Sequence, residues 1–225
     1  MSAWATLDLG ALWLTLKVAG FATLAAMLLG VLCGYALART RMPGRRLIEA
    51  VLMLPMVLPP SVLGYYLIVL LGRNSAFGGW LSSTLGIELM FTWQGAVVAA
   101  AVVAFPLVFT SARAAFEGID ANLEKAARVL GAGEAKVFLQ VTLPLAMRGI
   151  AAGTMLAFAR AMGEFGATLM IAGNIPGKTQ TLSLAVYDAV QAGNDALANV
   201  LVIVISVICI VVLVAAGHLL DPKRR

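Results

Sequence analysis

Apolar residues in this chain come in long unbroken runs, and polar residues are confined to the gaps between them. Five runs are long enough to cross a bilayer: residues 11–37, 47–72, 95–115, 149–172 and 197–220. A helical span needs about 20 residues at a rise of 1.5 Å each. Hydrocarbon offers no hydrogen-bond partners, so each run must satisfy its own backbone groups as a helix or belong to a closed barrel. Barrel strands alternate apolar and polar positions; these runs do not, so the pattern predicts helices. The expected fold class is all-α, a polytopic transmembrane helical bundle of about five spans forming a single domain over residues 1–225.

Composition sharpens this. The chain is 61% hydrophobic and 12% charged, where a soluble domain carries about 25% charged residues. Too little charge remains to solvate a globular surface. A net charge of +5 could suit nucleic acid, but Lys and Arg sit in the gaps, which points to membrane orientation and to no nucleic-acid partner. Eleven of them (Arg39, Arg41, Arg45, Arg46, Lys125, Arg128, Lys136, Arg148, Lys223, Arg224 and Arg225) fall on one side of a five-span topology, and Arg73 and Lys178 on the other. The first side is predicted to be cytoplasmic, which puts the N-terminus outside and the C-terminus inside. Residues 1–10 hold Asp8 and no basic residue, so the first run is expected to be a retained helix and not a cleaved signal.

Candidate chemistry is sparse. Cys33 and Cys209 lie inside apolar runs as small core residues, with no disulfide or metal implied. The stretch Gly173-Asn174-Ile175-Pro176-Gly177-Lys178-Thr179 is similar to a phosphate-binding P-loop, but Ala172 stands where the first glycine belongs and no strand precedes it. No nucleotide site is assigned there. No nucleophile, metal cluster or acid–base pair is apparent, so no catalytic residue, cofactor or metal is expected.

Several intramembrane positions carry more information. Pro55, Pro59 and Pro60 each remove a backbone donor, so the second run should kink or break near its middle. Such a break marks either a packing kink or a translocation path. Gly64 follows, where helices could approach closely. Gly30 with Gly34, and Gly149 with Gly153, fit the small-residue packing motif. Arg160 and Glu164 are four apart and should share a helix face as an ion pair, structural or gating. Lys17 and Arg113 can reach an interface, and His218 is assigned no chemistry. The segment 73–94 has turn residues with interfacial Trp80 and Trp93, and 173–196 reads as a loop or short-helix region.

The longest polar gap, 116–148, reads as folded. Leu123, Ala126, Ala127 and Leu130 recur at helical spacing, and Gly131 and Gly133 can end that helix through positive φ. A second helical stretch carries Val137, Phe138 and Val141, and Pro144 is expected to stop it. Two short helices at an angle result, either lying on the bilayer or docking into a cytoplasmic partner.

The pattern Glu124-Lys125-Ala126-Ala127, three residues, Gly131, then Val141-Thr142-Leu143-Pro144 resembles the EAA loop of ABC importer permeases. Lys125 separates Glu124 from the alanines, and Val141 stands where Ile is usual. The stretches 54–65 (LPMVLPPSVLGY) and 163–168 (GEFGAT), and Pro43-Gly44-Arg45, resemble the molybdate branch of that family. The resemblance implies a type I importer permease in the bacterial inner membrane, moving molybdate, or the related dianions sulfate or tungstate. It implies that residues 116–148 are a coupling loop, with Glu124, Ala126, Ala127, Gly131, Leu143 and Pro144 meeting a separate ABC ATP-binding subunit present in two copies. It also implies an extracytoplasmic molybdate-binding protein. A second copy of the chain is expected on physical grounds, because five helices enclose no route of their own for a dianion. Pro59, Pro60, Gly64, Arg160 and Glu164 are the candidate path or gate residues. The competing class is an ATPase-independent channel or ion-coupled transporter, which would have no need of the loop around Ala127 and Gly131.

Overall fold

The computed structural model describes residues 9–40 and 43–220. Arg41, Lys223, Arg224, Arg225, residues 1–8 and the side chain of His218 lie outside the described set. Among the described residues the chain is helical, without strands. The helices are α1 (Leu9–Arg39), α2 (Arg45–Val57), α3 (Pro60–Leu71), α4 (Ala76–Leu85), α5 (Trp93–Glu117), α6 (Ala121–Val129), α7 (Glu134–Met162), α8 (Gly166–Ala172), α9 (Leu182–Gln191) and α10 (Asp195–Leu220).

Four of these, α1, α5, α7 and α10, are long and apolar enough to cross a membrane. The bent pair α2–α3 makes a fifth if counted as one broken span. The first, third and fifth apolar runs therefore match helices closely. The second run does break where Pro59 and Pro60 stand, but the turn is 112°, far beyond a kink. Two successive prolines leave no amide to continue the ladder, and Leu58 and Pro59 adopt extended backbone (ψ 142° and 139°).

The fourth run departs most from expectation. Its helix starts at Glu134 and ends at Met162, and Gly163-Glu164-Phe165 separates it from the short α8. Pro144 does not stop the helix as the sequence predicted. A π turn over Phe138–Thr142 precedes it, with the Leu143 amide bonding back to the Phe138 carbonyl. The wider turn opens the ladder just where the proline ring would otherwise clash, so the helix passes through.

Helix α5 forms the centre, with α1 and α7 packed on it and on each other. Small residues make this possible, because lipid tails supply no hydrophobic drive between spans. Ala96, Ala99, Ala100, Ala104 and Ala112 of α5 and Ala19, Ala22 and Ala26 of α1 are buried. Both glycine pairs read from the sequence pack against α5. A Cβ at Gly30 would lie 2.9 Å from the Val108 Cβ, and one at Gly153 would lie 2.5 Å from the Ser111 Cβ. On the far side α10 packs against α7 and α9. The loops hold more structure than their composition suggested: α4 is capped by Ser75, whose Oγ accepts from the Gly78 amide at 2.8 Å.

Candidate functional site: a helical hairpin and a cavity between two helix breaks

Helix α6 begins at Asp120, whose carboxylate accepts from the Asn122 amide at 2.9 Å. It ends in a left-handed turn at Gly131 (φ +83°), where the Ala132 amide returns to the Ala127 carbonyl. This position needs a residue free to adopt positive φ. The chain then reverses into α7, and Arg128 clamps the two arms by donating to Glu134 at 2.6 and 3.0 Å. That hydrogen bond holds the Glu134 carboxyl below its usual range and raises the Arg128 guanidinium. One arm, α6, is short as the spacing predicted; the other does not stop at Pro144 and continues as α7 to Met162.

The hairpin has two faces. Outward, Leu123, Ala126, Val129 and Leu130 stand in the open, Val129 and Leu130 each 87% exposed. Inward, Glu124 is 5% exposed. It accepts from the Thr142 hydroxyl at 2.6 Å and pairs with the Arg39 guanidinium at the end of α1. Glu124 therefore faces its own spans, while Ala126 and Leu130 face away. Ala127 is half-buried, Gly131 and Pro144 are exposed, and Leu143 is half-buried at the root of α7. Tyr35 of α1 stacks edge-on against Phe116 and Phe138, closing the same junction.

Beside it, a four-residue charge chain ties α2 to α5. Arg45 pairs with Glu49 (2.7 Å) and Glu117, and Arg113 with Glu49 (2.9 Å) and Glu117 (3.3 Å). Arg113 thus has two carboxylate partners besides any reach to an interface. Lys17 sits 3.6 Å over the Trp93 ring, a cation–π contact at the other end of the bundle.

Further into the bundle, the two helix breaks meet. A Cβ at Gly166 would lie 2.7 Å from the Pro60 Cβ, and one at Gly64 would lie 2.6 Å from the Met170 Cβ, so α3 and α8 are in close contact. Glu164, in the second break, accepts from the Ala167 amide at 3.0 Å and lies 2.9 Å from Arg160. Arg160 borders a cavity of about 160 Å³ with Pro55, Met56, Leu58, Pro60, Leu63, Val103 and Leu107. The structure thus gathers Pro60, Gly64, Arg160 and Glu164 into one region, with Pro59 at the break itself.

The model of the binding-protein-dependent transport system inner membrane component family matches residues 26–225. The chain belongs to that family. The molybdenum transport system permease protein ModB of Escherichia coli K12 is 45% identical over 207 residues, 91% of this chain and 90% of its own length. ModB of Haemophilus influenzae is 45% identical over 185 residues, 82% and 81% of the two chains. A chain of the MetNI methionine ABC transporter in an inward-facing conformation superposes with a TM-score of 0.73 at 20% identity, covering 96% of this chain and 95% of that one. The last likeness concerns the fold, that of a type I ABC importer permease.

In this inner membrane component the P-loop-like stretch is no phosphate cradle. The amides of Lys178, Thr179 and Gln180 all turn onto the Ile175 carbonyl, and the fully buried Thr179 hydroxyl accepts from the Ile175 amide. Sequence reasoning missed Arg39 and Thr142, the two partners of Glu124. Arg39 was counted only as a topogenic charge, and the one cue for Thr142 was a hydroxyl in an otherwise apolar run.

Proposed function

We propose that this chain is the membrane-spanning subunit of an ATP-driven importer that carries molybdate across the cytoplasmic membrane. The observation that carries the reading is the hairpin: an apolar crest of Leu123, Ala126, Val129 and Leu130 held out from the bundle by a buried acidic anchor. An uncovered crest on a rigid mount is suited to seat in a cleft of a separate ATP-binding subunit. Small Ala126 and Ala127 allow close approach, and Gly131 provides the reversal. Leu143 and Pro144 form the root through which movement enters α7.

ATP binding closes a pair of such subunits, and the hairpin follows. The Arg39–Glu124–Thr142 junction passes the displacement to α1 and α7 together. Two copies of the chain enclose the substrate route along their two-fold axis, with Pro59, Pro60, Gly64, Arg160 and Glu164 on it. A soluble binding protein delivers the anion from outside. The excess of Lys and Arg on the hairpin side supports a cytoplasmic hairpin and C-terminus and an external N-terminus. The kinship to molybdenum permeases supports molybdate over sulfate.

The test is reconstitution with a cognate ATP-binding subunit and binding protein in proteoliposomes. ATP-dependent uptake of radiolabelled molybdate is expected, with tungstate and sulfate as competitors. Uptake that proceeds without the ATP-binding subunit, driven by an ion gradient, would replace this reading with the ion-coupled one.

A further inference from the structure

Arg160 is a cation with too few acceptors. A guanidinium presents five N–H donors in a fixed fork. Its one polar partner among the described residues is the Glu164 Oε2 at 2.9 Å, an ionic contact without hydrogen-bond alignment. The side chain is 39% exposed, and the surface it exposes borders the cavity whose other lining residues are all apolar. At about 160 Å³ that cavity is roughly tenfold larger than the 10–15 Å³ a single water requires.

Glu164 stands behind it. Its side chain is 2% exposed, and its Oε1 is taken by the Ala167 amide. The carboxylate is therefore fixed to the start of α8 and absent from the cavity lining. Pro60, the first residue of α3, also lines the cavity, so the positive end of that helix dipole lies beside it.

We propose that this cavity is a transient oxyanion site, in which Arg160 binds the anion and Glu164 weakens its hold. The inference rests on the transport reading and deepens it by naming the contact residue. A lone guanidinium in a medium of low dielectric would trap a dianion. A transport site must bind well enough to admit its ion and weakly enough to release it. Pairing Arg160 with a buried carboxylate brings the local charge to zero and leaves the remaining guanidinium donors unpaired on a side chain that borders the cavity.

The experiment measures equilibrium binding of radiolabelled molybdate to the detergent-solubilised permease–ATPase complex, with the binding protein left out. Glu164→Gln preserves the acceptor for Ala167 and removes the opposing charge. It is expected to tighten binding by about tenfold or more and to slow ATP-driven uptake by the complete assembly, because release becomes limiting. Adding Arg160→Gln to that variant restores local neutrality and is expected to abolish the gained binding. Unchanged or weaker binding in Glu164→Gln overturns the proposal, and so does binding that survives in the double variant. A wild-type assembly that imports sulfate and rejects molybdate sinks the substrate reading alone; the same two variants, probed with sulfate, then decide the site.

Discussion

Replacing Glu124 by alanine should detach the hairpin from the bundle without unfolding the bundle itself. The magnitude follows from what Glu124 holds. It accepts one hydrogen bond from Thr142 and pairs with Arg39. Hydrogen bonds to a charged group contribute about 1.5–3 kcal/mol each, and breaking a buried ion pair costs about 3–5 kcal/mol. Arg39 keeps 32% of its side chain exposed, so water recovers part of that loss. A net cost of about 2–4 kcal/mol for local opening is the working figure. The reader is amide hydrogen exchange across residues 121–137 in nanodisc-embedded protein. At the lower bound, exchange should accelerate about thirtyfold, since 1.4 kcal/mol is tenfold. The amides of the α5 core should not change. Thr142→Val should show a smaller effect in the same residues, and Lys125→Ala, on the exposed side, none. Wild-type exchange in Glu124→Ala would refute the idea that this carboxylate mounts the hairpin.

Three further outcomes are expected. Gly131→Asp, placed at φ +83° on the exposed turn, should abolish association with the ATP-binding subunit and transport while leaving membrane insertion intact; normal stimulated ATPase activity would exclude the coupling role. Gly153→Ala should lower thermal stability by about 1–3 kcal/mol, since its Cβ meets the Ser111 Cβ at 2.5 Å and the Leu107 carbonyl at 3.0 Å, whereas Gly20→Ala, with nothing within 4 Å, should be neutral or mildly stabilising; equal melting shifts would show that α5 and α7 are not packed this way. Arg160→Ala should destabilise more than the double variant Arg160→Ala/Glu164→Ala, because the single change strands a carboxylate that is 2% exposed; thermal melting of the three proteins decides it, and additivity would deny the pair.

Local chemistry was enough to fix some elements. The continuous apolar runs required helices, and α1, α5 and α10 follow them to within a few residues, because lipid leaves the backbone no other choice. The spacing of Ala126, Ala127 and Gly131 was enough for α6 and the turn that ends it, since helical period and positive φ are properties of neighbouring residues. Pro59 and Pro60 announced the break in the second run for the same reason, and Gly30, Gly34, Gly149 and Gly153 marked where helices touch.

The tertiary structure decided which way things point and what they meet. Glu124 and Ala126 are two residues apart, yet one is buried against Arg39 and Thr142 and the other faces outward; that choice belongs to partners 85 and 18 positions away. Helix continuity through Pro144 depended on a π turn over Phe138–Thr142, which the linear pattern does not announce. The prolines set where the second run breaks, but the 112° size of the bend and the contact of Pro60 with Gly166 are visible only in the assembled bundle. Periodicity encodes which residues want burial; only the assembled bundle determines against what.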